Sequence, residues 1–126
     1  MDELQTLEIK AFVPARDFAL SKQFYQDLGF EVAWSSDDMA YLHRGDCAFL
    51  LQNFYVKEHA DNFMMHLLVE DADAWWQHVV DRDIAAKYNI RANPPEDQSW
   101  GIRDFILVDP TGVLWRIGRD IPAKAG

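Results

Sequence analysis

Phe12-Val13-Pro14-Ala15-Arg16-Asp17-Phe18 and, 54 residues further on, His66-Leu67-Leu68-Val69-Glu70-Asp71-Ala72 decide the fold of this chain. In each stretch an apolar run breaks off and an acidic residue follows. Such a residue accepts the free N–H groups at the start of a helix. The run before Asp17, Leu7 to Val13, reads as a strand ended by Pro14, which has no N–H for a ladder. After Asp17, Phe18, Leu20, Phe24, Tyr25 and Leu28 follow helical spacing, and Gly29 can close the helix in a left-handed conformation. In the second stretch Phe63 to Val69 is the strand, Asp71 or Asp73 the cap, and Ala74 to Val80 helix, continuing to about Arg82.

Three further strands follow the first helix: Phe30 to Trp34, Met39 to His43, and Cys47 to Phe54, with turns at Asp37-Asp38 and Arg44-Gly45-Asp46. After the second helix, Asn89 to Ser99, with Pro94-Pro95, reads as a loop. Trp100 to Val108 and Val113 to Gly118 read as strands around an Asp109-Pro110-Thr111-Gly112 turn. The order is β-α-β-β-β twice, an α+β chain of two duplicated modules at about residues 5–56 and 62–120. Neither half carries enough apolar surface to stand alone, so the two must share a sheet or a dimer interface.

Composition narrows the function. Of 126 residues, 49% are hydrophobic and 13% aromatic, enough for a real core. The formal charge of −9 disfavours a polyanionic partner such as nucleic acid and favours a cationic one. The longest apolar stretch, Phe63 to Val69, is too short for a membrane span. The acidic start Met1-Asp2-Glu3 has no signal-peptide character, and the lone Cys47 excludes an internal disulfide; together they point to the cytoplasm.

Pro14-Ala15-Arg16-Asp17-Phe18, Phe24-Tyr25, Leu28-Gly29-Phe30, Trp100-Gly101 and Leu107-Val108-Asp109-Pro110-Thr111-Gly112 resemble the bleomycin resistance proteins. These belong to the vicinal oxygen chelate superfamily, with glyoxalase I, fosfomycin-resistance transferases and extradiol dioxygenases. The resemblance implies paired βαβββ modules whose curved mixed sheets surround a cleft. It also implies a homodimer that exchanges its first strand at Pro14, with ligand grooves between subunits that sequester a drug without altering it.

The superfamily's enzymes hold a divalent metal through His on the first strand of each half and Glu on the last strand. The matching positions here are Lys10, seven residues before Asp17, Met64, and Arg116, four after Gly112. Two cations and a thioether are poor ligands for such a metal. A two-residue slip keeps the strand face and offers Glu8, Gln52 and His66 as a shifted set, though without a carboxylate on the last strand.

By the resemblance and strand alternation, the ligand face comprises Met39, Tyr41, Leu50, Gln52, Phe54, Met64, His66 and Trp100. His66 reads as a half-buried histidine or a stacking surface, and Trp100 as a groove wall or a core or interface residue. Trp75 and Trp76 on the helix read as packing. Cys47 reads as a small buried thiol rather than a nucleophile. His43, His59 and His78 show no ligand spacing, and no phosphate-loop, H-E-x-x-H or C-x-x-C motif is present. The reading is a metal-free and cofactor-free homodimer that binds a cationic or amphipathic aromatic compound, conceivably bleomycin-like. The alternative is a metal-dependent lyase, transferase or dioxygenase with an irregular site.

Overall fold

A computed structural model describes residues 3–122. The first half contains β1 (Phe12–Pro14), α1 (Phe18–Leu28), β2 (Glu31–Ser35), β3 (Met39–Arg44), β4 (Cys47–Gln52) and α2 (Lys57–Asp61). The second contains β5 (Met64–Leu68), α3 (Ala72–Asp81), α4 (Ile84–Tyr88), β6 (Ala92–Asp97), β7 (Ile102–Val108) and β8 (Leu114–Asp120). Each half forms a four-stranded mixed sheet with the same connectivity. Sheet A runs β1-β4-β3-β2 and sheet B runs β5-β8-β7-β6; β1 and β5 lie parallel to β4 and β8, and the other pairs are antiparallel.

The two caps are equivalent down to the hydrogen bond. Asp17 sits in extended conformation and its carboxylate accepts from the Leu20 N–H at 3.1 Å. Asp71 does the same for Ala74 at 3.0 Å, while Asp73 lies inside the first turn and pairs with Arg103. Gly29 ends α1 at φ 127°, where a side chain would be strained.

Buried residues of both halves form one cluster, so neither sheet has a core of its own. Its centre is aromatic: the ring of Trp115 on β8 lies 5.5 Å from Tyr25, 5.8 Å from Phe30 and 5.3 Å from Phe49, all of the first half. Polar groups bind the halves as well. Asp109 Oδ1 accepts the N–H groups of Thr111, Gly112 and Val113, while Oδ2 accepts the Tyr25 hydroxyl. The Trp115 Nε1–H donates to the same hydroxyl at 2.8 Å. Asp27 at the end of α1 accepts from Lys87 and Tyr88 of α4.

Several sequence expectations need correction. The first strand is only Phe12–Pro14; residues 3 to 11 precede it as an arm outside the regular ladder, and Met1 and Asp2 lie outside the described residues. The stretch Asn89 to Ser99 is not a loop: it contains β6, whose Pro94-Pro95 sit at a bulge on an edge strand, where a missing N–H breaks no ladder bond. The short helices α2 and α4 were not expected; α4 lies between left-handed Asp83 and Asn89 and buries Ile84. β4 stops at Gln52, so Phe54 falls beyond it. Cys47 is exposed rather than buried, because it begins β4 beside the Gly45-Asp46 turn.

Candidate functional site

Each sheet packs one face on the shared core and leaves the other uncovered within the chain. On sheet A the uncovered face follows from strand alternation: Ala40, Leu42, Phe49 and Leu51 are buried, so Met39, Tyr41, Leu50 and Gln52 point the other way. Register places them directly opposite one another, Tyr41 against Leu50 and Met39 against Gln52. The Tyr41 row continues through Phe12 on β1 and Trp34 on β2. Phe12–Leu50–Tyr41–Trp34 is therefore an apolar, largely aromatic band across all four strands, and its two ends are 52% and 55% exposed. Phe54, expected on this face, is an exposed residue of the following loop.

Phe12 and Trp34 add to the ligand face that the sequence predicts. Phe12 was legible in principle, because its face follows from its buried neighbour Val13. Trp34 was not. A bulge between Val32 and Trp34 shifts the register, so simple alternation would place it with core-packed Val32.

Sheet B's uncovered face carries different chemistry. Met64 and His66 of β5 are exposed there, opposite Leu114 and Arg116 of β8. The row His66–Arg116–Ile106–Asn93 is mainly polar, and Leu68–Gly118–Asp104–Glu96 runs beside it. Asp104 is 3% exposed and pairs with Arg116 Nη1 at 3.2 Å, while Gln98 Nε2 donates to its other oxygen at 3.1 Å. His66 is thus an exposed sheet-face residue rather than a half-buried one. Trp100, in the turn between β6 and β7, is 63% exposed, which removes it from the core of the chain.

The arm before β1 carries Glu8 and Lys10 onto sheet A. Glu8 accepts from the Tyr41 hydroxyl at 3.0 and 3.1 Å and pairs with Lys10 at 2.8 Å; the Lys10 ammonium lies 5.2 Å from the Tyr41 ring centroid. The Lys10 and Tyr41 hydrogen bonds hold the Glu8 carboxyl below its usual pKa, and the bond to Glu8 raises that of the Tyr41 phenol. Leu7 and Ile9, which alternate with Glu8 and Lys10, are 100% and 96% exposed. They border a cavity of about 480 Å³, together with Met65, His66 and Leu68 of β5.

These positions do not fit a divalent metal. Lys10 and Arg116 are cations already paired with Glu8 and Asp104, and Met64 offers a thioether. Of the shifted set, Glu8 and His66 border the same cavity, while Gln52 lies on the face of sheet A. Among the described residues no three His, Cys, Asp or Glu converge on a common point.

Residues 8–117 match the glyoxalase/bleomycin resistance protein/dioxygenase superfamily. A bleomycin resistance protein of Klebsiella pneumoniae is 30% identical over 112 residues, covering 83% of this chain and 86% of that one. A bleomycin-binding protein crystallised with bleomycin superposes with TM-score 0.77 and 27% identity, over 91% of this chain and 99% of that one. A bleomycin resistance determinant encoded on transposon Tn5 gives TM-score 0.75 and 26% identity, over 91% and 98%. With its duplicated caps, its two mixed sheets and this match along most of its length, the chain belongs to the glyoxalase/bleomycin resistance protein/dioxygenase superfamily.

Proposed function

We propose that this protein binds and sequesters a cationic or amphipathic aromatic drug of the bleomycin type without changing it chemically. The groove is formed by the uncovered face of sheet A in one copy and that of sheet B in a second. The observation that carries this reading is the Phe12–Leu50–Tyr41–Trp34 band, whose end rings Phe12 and Trp34 are open for stacking. The relatives named for bleomycin supply the drug class, and the net charge of −9 favours a cation. In the groove, Met39, Tyr41, Leu50 and Gln52 form one wall and Met64 and His66 the other, with Trp100 and Phe54 at the margins.

The second copy is supported by the arm. Its polar residues Glu8 and Lys10 face the protein while Leu7 and Ile9 face solvent, the reverse of what a free monomer favours. A partner subunit covering Leu7 and Ile9 removes that inversion. No metal is required: the groove holds its ligand by stacking, apolar contact and charge.

Titrating bleomycin against tryptophan emission tests the reading, with sedimentation run in parallel. The expected result is saturable quenching at one ligand per subunit in a dimer. Absence of saturable binding, or recovery of a cleaved or modified drug, overturns it.

A further inference from the structure

We propose that a polar pocket on sheet B is a specificity pocket for an amidinium or protonated amine on the bound molecule. This rests on the groove reading above and adds to it the chemistry of one end of the ligand. The pocket has a volume of about 170 Å³ and is lined by Asn93, Glu96, Gln98, Asp104, Ile106 and Arg116. It opens on the same face as His66, which lies across the ladder from Arg116, and Trp100 stands two residues beyond Gln98.

The charge arithmetic of the site is unusual for a sheet. Register sets Glu96 directly opposite Asp104, two carboxylates as cross-strand neighbours, an arrangement that ordinarily destabilises a ladder. Asp104 is neutralised: it is buried, paired with Arg116 and hydrogen-bonded by Gln98. Its position is built in, because Gly118 beneath it has no side chain; a Cβ there would stand 2.7 Å from the Cβ of Asp104. Glu96 has no such counterpart. Among the described residues it enters no ion pair, and the bulge at Asn93–Glu96 sets it at the pocket wall.

The pocket therefore holds one uncompensated negative charge, flanked by the carboxamide of Asn93 and the apolar floor of Ile106. A group that delivers both positive charge and N–H donors satisfies Glu96 and an amide oxygen together. An anion meets only Arg116, whose charge Asp104 already balances, and a neutral group can at most hydrogen-bond Glu96 while leaving its charge unbalanced.

The test uses 2-naphthamidine, a planar amidinium, and 2-naphthamide, a neutral carboxamide of similar shape, both titrated against tryptophan emission at low salt. Wild-type protein is expected to prefer the amidinium about tenfold, the scale of one charge-assisted hydrogen bond. Glu96→Gln, at an exposed position where the fold is retained, should erase that preference and leave carboxamide binding within about twofold. Equal weakening of both probes, an unchanged amidinium affinity, or no binding of either probe to wild type overturns the proposal. Bleomycin titrated in parallel keeps the two readings apart. Bleomycin binding without amidinium preference rejects the pocket alone, and amidinium preference without bleomycin binding rejects the drug groove alone.

Discussion

The hydroxyl of Tyr25 in α1 is hydrogen-bonded to the carboxylate of Asp109, 84 residues away in the turn before β8, and both side chains are buried. Burial raises the Tyr25 phenol pKa, and the charge of Asp109 and the hydrogen bond to it raise it further. Burial also raises the Asp109 carboxyl, against the hydrogen bonds of Tyr25 and three backbone N–H groups. The Tyr25 contribution is fully present below the unfolded phenol pKa of about 10 and declines as pH rises above it, because only the unfolded chain then ionises. The Asp109 contribution has the same sign at lower pH: it is full below the ordinary aspartate value and lost as pH rises through the raised one. Tyr25→Phe leaves Asp109 Oδ2 and Trp115 Nε1 without a partner and should cost about 1–3 kcal/mol at neutral pH. It should also flatten the loss of stability between pH 9 and 11. Urea midpoints across that range check both, and an alkaline slope equal to wild type would count against the linkage.

Trp100→Ala separates ligand binding from folding. Since the ring is exposed, the unfolding midpoint should stay near wild type. Loss of a stacking contact worth about 0.5–2 kcal/mol should weaken bleomycin binding roughly threefold to thirtyfold. A large drop in midpoint with unchanged affinity would return Trp100 to an interface.

The double change Leu7→Asp, Ile9→Asp addresses the second copy. Wild type is expected to sediment as a dimer at micromolar concentration and the variant as a monomer. Far-UV circular dichroism should be unaltered, because neither side chain is buried within its own chain. A wild type that stays monomeric would remove the groove between copies.

Gly118→Ala probes sheet B. The added methyl would meet Asp104 Cβ at 2.7 Å and the Arg103 carbonyl at 2.8 Å, too close for a relaxed contact. Overpacking of this kind costs about 1–3 kcal/mol. The variant should unfold earlier in urea and lose amidinium preference along with the Asp104–Arg116 geometry.

Local rules carried the sequence reading where short-range chemistry decides structure. Asp17 and Asp71 announce their helices because a cap needs only three residues, and Gly29 announces a stop for the same reason. Tyr41 and Leu50, or Met39 and Gln52, could be placed on one face because alternation is strict in unbulged strands. Local preference misleads where tertiary context overrides it. Pro94-Pro95 looks like a loop until the strand containing it proves to be an edge, and Trp34 changes face only because of a bulge. Asp104 was not singled out, since its role depends on Arg116, Gln98 and the absence of a side chain at Gly118, which meet only in the folded sheet.

Two of the four edge strands, β2 and β6, are bulged, and β6 also carries two adjacent prolines. A protein that leaves two sheet faces bare is at risk of stacking strand on strand into open-ended fibres. Here the backbone at those edges is too irregular to template another strand. Association is left to the faces, where the proposed pairing of two copies is a closed one, so an aromatic surface can stay open to a drug without seeding a fibre.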